Sequence, residues 1–205
     1  MEVNQIRVDH KIIAELIDNG SRVLDLGCGD GSLLKFLVTE KSVIGRGVEI
    51  TEEGMEICVS KGLSVLHGDI DEGIRDYRDG FFDYVVLSQT LQVVHRPKFV
   101  IKEMLRAGKK AIVSFPNFGN WQVRLDLLFS GRMPKSDVLP FEWYDTPNIH
   151  LCTIKDFRVL CSEMGIRIER EIYLKNQDTE NTGLLVRVAP NLFAGIAIYL
   201  ISNQS

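Results

Sequence analysis

Apolar and polar positions along this chain switch between two periods. Short apolar runs of strand type, at residues 23–26, 43–50, 63–67, 81–88 and 110–115, take turns with stretches whose apolar residues recur every three or four positions. The first helical stretch puts Ile12, Ile13, Leu16 and Ile17 on one face, with Asp9 placed to cap it and Asn19-Gly20 to stop it. Others run to about Glu40, from the cap Thr51 to Lys61-Gly62, from Pro97 to Gly108 with Val100, Ile101, Met104 and Leu105 aligned, and from the cap Thr153 to Gly165. Strands and helices alternating five times predict a parallel sheet covered on both faces. Two more apolar runs, 167–174 and 183–188, joined by the polar residues 176–182, predict a closing antiparallel hairpin. The expected fold class is α/β: a doubly wound, mostly parallel seven-stranded sheet whose last strand pair is antiparallel, with a crevice between the first and fourth strands.

The alternation breaks between Pro116 and Thr153. This insert holds four of the six prolines, both tryptophans (Trp121 and Trp143), and a short helix with Trp121, Leu125, Leu128 and Phe129 along one side before Ser130-Gly131. A long aromatic connection at the ligand edge of such a sheet predicts a lid or a docking surface. With 205 residues, no repeat and no linker, one domain over 1–205 is expected, carrying its insert at about 116–153. The net charge of −4 offers no general attraction for nucleic acid. Cys28, Cys58, Cys152 and Cys161 have no metal-ligand spacing, so no metal site is expected. No signal-peptide pattern opens the chain, and the longest apolar run, 192–201, is ten residues, short of the roughly 20 a membrane span needs. A cytoplasmic protein is expected.

The chemistry concentrates after the first strand, where Asp25-Leu26-Gly27-Cys28-Gly29-Asp30-Gly31-Ser32 leads directly into a helix. Glycines there let backbone N–H groups at a helix N-terminus approach a polar ligand. A dinucleotide fingerprint would need a small third residue where Ser32 stands, which counts against a nicotinamide cofactor. Asp25, two places before the first glycine, suits a ligand with a positive amino group, and this points to S-adenosylmethionine. Glu49 lies 20 residues beyond Gly29, the separation at which a carboxylate on the next strand tip reaches ribose hydroxyls. Asp69, at the third strand's tip, is placed either to accept from an exocyclic adenine amine or to cap the turn that follows. Ser88-Gln89 ends the fourth strand above the same edge.

These residues carry a resemblance. The Asp25–Gly31 loop, Glu49 and Gly68-Asp69 resemble the cofactor motifs of class I S-adenosylmethionine-dependent methyltransferases, a Rossmann-like fold. Four longer strings resemble the MetW family of methionine biosynthesis proteins: Leu87-Ser88-Gln89-Thr90-Leu91-Gln92, Ser114-Phe115-Pro116-Asn117-Phe118-Gly119-Asn120-Trp121, Trp143-Tyr144-Asp145-Thr146-Pro147-Asn148-Ile149-His150, and Cys152-Thr153-Ile154-Lys155-Asp156-Phe157. The likeness runs from about residue 7 to 190. It implies a bacterial cytoplasmic protein of methionine biosynthesis that works with the homoserine O-acyltransferase that makes O-acetylhomoserine, a homoserine O-acetyltransferase. It also implies that Asp25, Gly27 and Gly29 contact the methionyl part of the cofactor, Glu49 the ribose, and Asp69 with Ile70 the adenine. Their neighbours Cys28, Ile50 and Ser88 complete the expected site, in which S-adenosylhomocysteine would be the product form.

Two functions follow. In the first, the chain binds S-adenosylmethionine and supports or regulates the acyltransferase, docking through the aromatic insert. The alternative is a free-standing methyltransferase for a small molecule, with His95, Asp145 or His150 as base and Tyr144 or Trp121 flanking the sulfonium. The resemblance supplies no catalytic residue.

Overall fold

The computed structural model describes residues 6–136, 139–176 and 183–204. Among these described residues seven strands make one sheet: β1 (Arg22–Leu26), β2 (Ile44–Glu49), β3 (Val65–His67), β4 (Phe82–Ser88), β5 (Gly108–Pro116), β6 (Ile166–Leu174) and β7 (Ile196–Asn203). Their order is β3-β2-β1-β4-β5-β7-β6. The first five are mutually parallel, and β7 runs antiparallel to both of its neighbours. The chain builds outward from β1 to β3, then returns to lay β4 on β1's other side. The reversal therefore falls between β1 and β4, as the alternation of elements predicts.

Residue parity sorts the core onto two faces. Val23, Tyr84, Val86, Ile112, Ile196, Ile198 and Leu200 pack with helices α1 (Val8–Glu15) and α2 (Ser32–Lys41). Leu24, Val85, Leu87, Val113, Phe115, Ala197 and Tyr199 pack with α4 (Pro97–Ala107) and α6 (Ile154–Glu163). Helix starts follow the sequence in most cases. Thr51 Oγ1 accepts from Gly54 N at 3.2 Å to open α3 (Glu52–Ser60), Pro97 is the first residue of α4, and Thr153 with Asp156 forms a reciprocal capping box on α6. Asp9 is different, because Arg7 holds the cap position. Asp9 lies inside the first turn, fully buried, and its carboxylate takes the Arg7 guanidinium as well as the neighbouring His10 N, at 3.1 Å.

The C-terminal assignment is corrected. Residues 183–188, expected as the last strand, contain α7 (Leu184–Val188), followed by α8 (Pro190–Phe193). The strand that pairs with β6 is β7, the apolar run that the sequence singles out only for its length. A strand inserted between β5 and β6 is covered on both faces and so needs a continuous apolar run in place of an alternating one. Residues 196–201 meet that demand, all of them buried. Residues 183–188 do not, since Leu184, Leu185 and Val188 lie at the surface. Of the polar stretch 176–182, residues 177–182 lie outside the described residues.

The insert helix α5 (Trp121–Ser130) forms where its pattern places it, capped by Asn120, whose side chain accepts from Gln122 N at 2.9 Å. Only Val123 of this helix is buried. The side carrying Leu128 and Phe129 faces solvent, at 73% and 80% exposure. Among the described residues no helix is long and apolar enough to cross a membrane.

Candidate functional site

At the carboxyl edge of β1 the chain turns through Gly27, Gly29 and Gly31, all left-handed with φ of 65°, 54° and 72°, before α2 begins. Residues with a Cβ would resist such a path. Gly27 N and Cys28 N both donate to Val48 O, at 2.8 and 3.1 Å, which fixes the loop against the end of β2. The Cys28 side chain turns under the loop, into space left by Gly47: a Cβ on Gly47 would stand 2.6 Å from Cys28 Sγ. Its thiol is 3.9 Å from that of Cys58 on α3. Burial pushes the Cys28 thiol far above its ordinary pKa, so it carries no thiolate at neutral pH.

Asp25 and Glu49 share a sheet face, because Asp25 pairs with Gly47 in the β1–β2 register and Glu49 is two residues further along. Asp25 is 2% exposed, and its carboxylate makes no hydrogen bond within the described residues. Burial first, and the Glu49 carboxylate second, raise its pKa from an ordinary 3.8 to about 7. Glu49 is well partnered. Its Oε2 accepts from Gly29 N at 2.8 Å and its Oε1 from Thr51 N and Thr51 Oγ1 at 2.9 and 2.8 Å. Of roughly four acceptor positions on a carboxylate, one remains open, on Oε2.

A cavity of about 350 Å³ opens beside this loop, within the size range of small-molecule sites. Five of the nine expected site residues line it: Gly27, Glu49, Ile50, Asp69 and Ile70. Asp25, Cys28, Gly29 and Ser88 do not line it: Cys28 lies beneath the loop, and the Ser88 hydroxyl accepts from Ser114 Oγ at 3.4 Å. Asp69 does cap the turn that follows, Oδ1 accepting from Asp71 N at 2.8 Å, and it lines the cavity as well. The opposite wall is Thr90, Val93, Val94 and His95.

The sequence did not single out Asp71. Its two carboxylate oxygens accept from His95 N at 2.8 Å and Arg96 N at 2.7 Å, clasping the far wall to the Asp69 turn. The only signal available is a second acid two residues after Asp69. Gln89 is another surprise, a non-glycine residue at φ 54° on the tip of β4, whose N donates to Ser114 O at 3.0 Å. Such a backbone strains a side-chain-bearing residue and is typical of ligand-binding edges. Of the other candidates from the insert, Asp145, His150 and Tyr144 are exposed and line no part of this cavity, and Trp121 lines a different one.

Comparison with known proteins bears on this arrangement. The family model for "Methionine biosynthesis protein MetW" matches residues 7–201, reaching through most of β7, beyond the part in which the sequence likeness is evident by inspection. The chain belongs to the MetW family. Among its MetW relatives is the bifunctional methionine biosynthesis protein MetXA/MetW of Rhodopirellula baltica, 37% identical over 177 residues, which are 82% of this chain and 28% of that protein. This chain thus corresponds to less than a third of that relative's length. The MetW fold is also that of solved methyltransferases. One is an S-adenosylmethionine-dependent methyltransferase of Thermotoga maritima, described as a possible histamine N-methyltransferase, at TM-score 0.66 and 18% identity, covering 95% of this chain and 87% of that one. Another is magnesium protoporphyrin IX methyltransferase of Synechocystis with bound S-adenosylhomocysteine, at TM-score 0.63 and 17% identity, covering 95% and 79%. At these identities the likeness establishes the class I methyltransferase fold.

Proposed function

We propose that this MetW chain binds S-adenosylmethionine in the cavity beside Gly27 and, in the cytoplasm, supports or regulates a homoserine O-acetyltransferase in methionine biosynthesis. One observation carries the ligand half. Asp25 is a buried carboxylate without a hydrogen-bond partner among the described residues, next to a glycine loop, and the α-ammonium of the methionyl group would satisfy it. The remaining acceptor position of Glu49 fits a ribose hydroxyl. Asp69, with one oxygen engaged by Asp71 N, keeps the other for the adenine amine, and Ile50 and Ile70 offer apolar surface to the base. Gly29 acts through its N–H, which holds the Glu49 carboxylate, while Cys28 and Ser88 act through the loop and strand that position them. When bound, S-adenosylmethionine supplies a cationic sulfonium with an activated methyl group.

The partner half rests on the Rhodopirellula baltica relative, whose name joins MetXA and MetW in one chain. It is supported by the exposed apolar side of the insert, where Leu128, Phe129, Trp143 and Tyr144 are 70% exposed or more. Aromatic and large aliphatic groups of this kind anchor interfaces. If the liganded and free forms bind the acetyltransferase differently, the level of the cofactor becomes coupled to acylation of homoserine.

The test is an assay of the acetyltransferase alone and with this chain, with and without S-adenosylmethionine, together with co-purification. A change in rate and a complex that responds to the ligand are expected. An unchanged rate, no complex, and methylation of a small acceptor by this chain would instead establish the free-standing methyltransferase. The one observation in favour of that second reading is that His95 lines the cavity.

A further inference from the structure

The carboxyl edge holds a second cavity, of about 620 Å³, that shares no residue with the first. It lies beyond β5, between the first turns of α5 and the ends of β6 and α8. Trp121 and Leu125 form an apolar wall, with Phe193 across from it on α8. The floor is fixed, since Asn117 Nδ2 and Asn120 Nδ2 both donate to Ala194 O, at 2.8 and 3.1 Å, and Asn117 N donates to Gly195 O at 2.7 Å.

Two residues that line it, Ser136 and Asn176, each carry a buried polar atom, Oγ and Oδ1, with no hydrogen-bond partner among the described residues. Buried polar groups are nearly always paired, so two orphans on one cavity call for an explanation. Three charged residues line the cavity: Lys135, whose ammonium is held by Glu142 at 3.1 Å, and Lys175 and Asp126, neither with an ion-pair partner among the described residues. With Lys135 neutralised by Glu142, the lining combines a donor hydroxyl and an unpaired cation with an acceptor carbonyl and an unpaired anion, beside an apolar wall. A phosphate or other dianion would meet two of these groups unfavourably. A zwitterion meets all four.

We propose that this cavity is a binding site for a free α-amino acid with an apolar side chain. The ligand's carboxylate takes Lys175 and the Ser136 hydroxyl, its ammonium takes Asp126 and the Asn176 carbonyl, and its side chain lies on Trp121, Leu125 and Phe193. This assignment does not depend on the cofactor or on the acetyltransferase.

The chain has two tryptophans, so Trp143→Phe, a change at an exposed position, leaves Trp121 as the sole tryptophan reporter inside the cavity. L-Methionine and L-leucine are titrated into the full chain, by fluorescence of that variant and by calorimetry of the wild type. Saturable binding is expected. Binding should weaken about tenfold or more for 3-methylthiopropylamine, which lacks the carboxylate, and for 4-methylthiobutyrate, which lacks the amine. Lys175→Met and Asn176→Leu should each weaken it by about tenfold while thermal unfolding stays unchanged, which separates loss of the site from loss of the fold. No saturable binding of either amino acid at millimolar concentration overturns the proposal. So does equal affinity for the one-ended analogues, or affinity that both variants leave intact.

Discussion

Replacing Asp25 with asparagine should make the protein more stable above neutral pH, the reverse of what changing a buried residue in a core strand usually does. The wild-type carboxyl is raised from 3.8 to about 7, by burial and then by Glu49. A shift of roughly three units corresponds to about 4 kcal/mol at 1.36 kcal/mol per unit, as an order of magnitude. The sign follows from proton binding. Between about pH 4 and 7 the folded protein holds a proton that the unfolded chain has released, so the contribution is full at the acid end and declines as pH rises through 7. Asparagine has nearly the same shape and never ionises. The gap between Asp25→Asn and wild type should therefore be about 1 kcal/mol at pH 4.5 and widen to about 4 kcal/mol at pH 8. For a chain of this size the larger value is roughly 8 to 16 °C in melting temperature. Thermal unfolding followed by circular dichroism at the two pH values, without ligand, measures it. A variant less stable than wild type at pH 8, or a gap that does not change with pH, would mean that the carboxylate is already compensated and would undo the argument for a cationic ligand group. With S-adenosylmethionine present the same substitution should weaken binding, since the ammonium loses its partner.

Glu49→Gln keeps the shape but removes the charge that gathers Gly29 N and Thr51, so affinity for S-adenosylhomocysteine, read by calorimetry, should fall by about tenfold or more. Ile198→Ala, at a fully buried position of β7, should cost about 2–5 kcal/mol in denaturant unfolding, while a surface strand would lose little. Leu128→Glu and Phe129→Glu, both at exposed positions, should leave unfolding within about 0.5 kcal/mol of wild type but abolish co-purification with the acetyltransferase.

Much of this architecture is legible from local signals. Glycine spacing, caps such as Thr51 and Thr153, and Pro97 act within a few residues of where they stand, and they place the loop, α3, α4 and α6 correctly. What the sequence leaves undecided depends on contacts across the chain. Residues 183–188 and 196–201 are both short and apolar, and only the vacancy between β5 and β6 selects the second as a strand. Asp9 reads as a cap because the pattern cannot show that Arg7 will claim its carboxylate. In the site, Glu49 and Asp69 stand out as acids at strand ends. Asp71 does not, since its importance lies in reaching His95 and Arg96, more than 20 residues away. The outward side of α5 looks like a core stripe, and nothing in its spacing says that this stripe meets water.

The place of β7 also has a consequence for how the protein is made. A ribosome delivers β5 and β6 well before residues 196–203, so both wait with open edges until the final strand arrives and slots between them. During that interval the nascent chain offers two unpaired β edges, that of β5 apolar, the kind of template that draws strands from other molecules. Premature termination after β6 should accordingly yield aggregates instead of a smaller folded unit, and the yield of native protein should depend on chaperones that shield those edges until β7 is made.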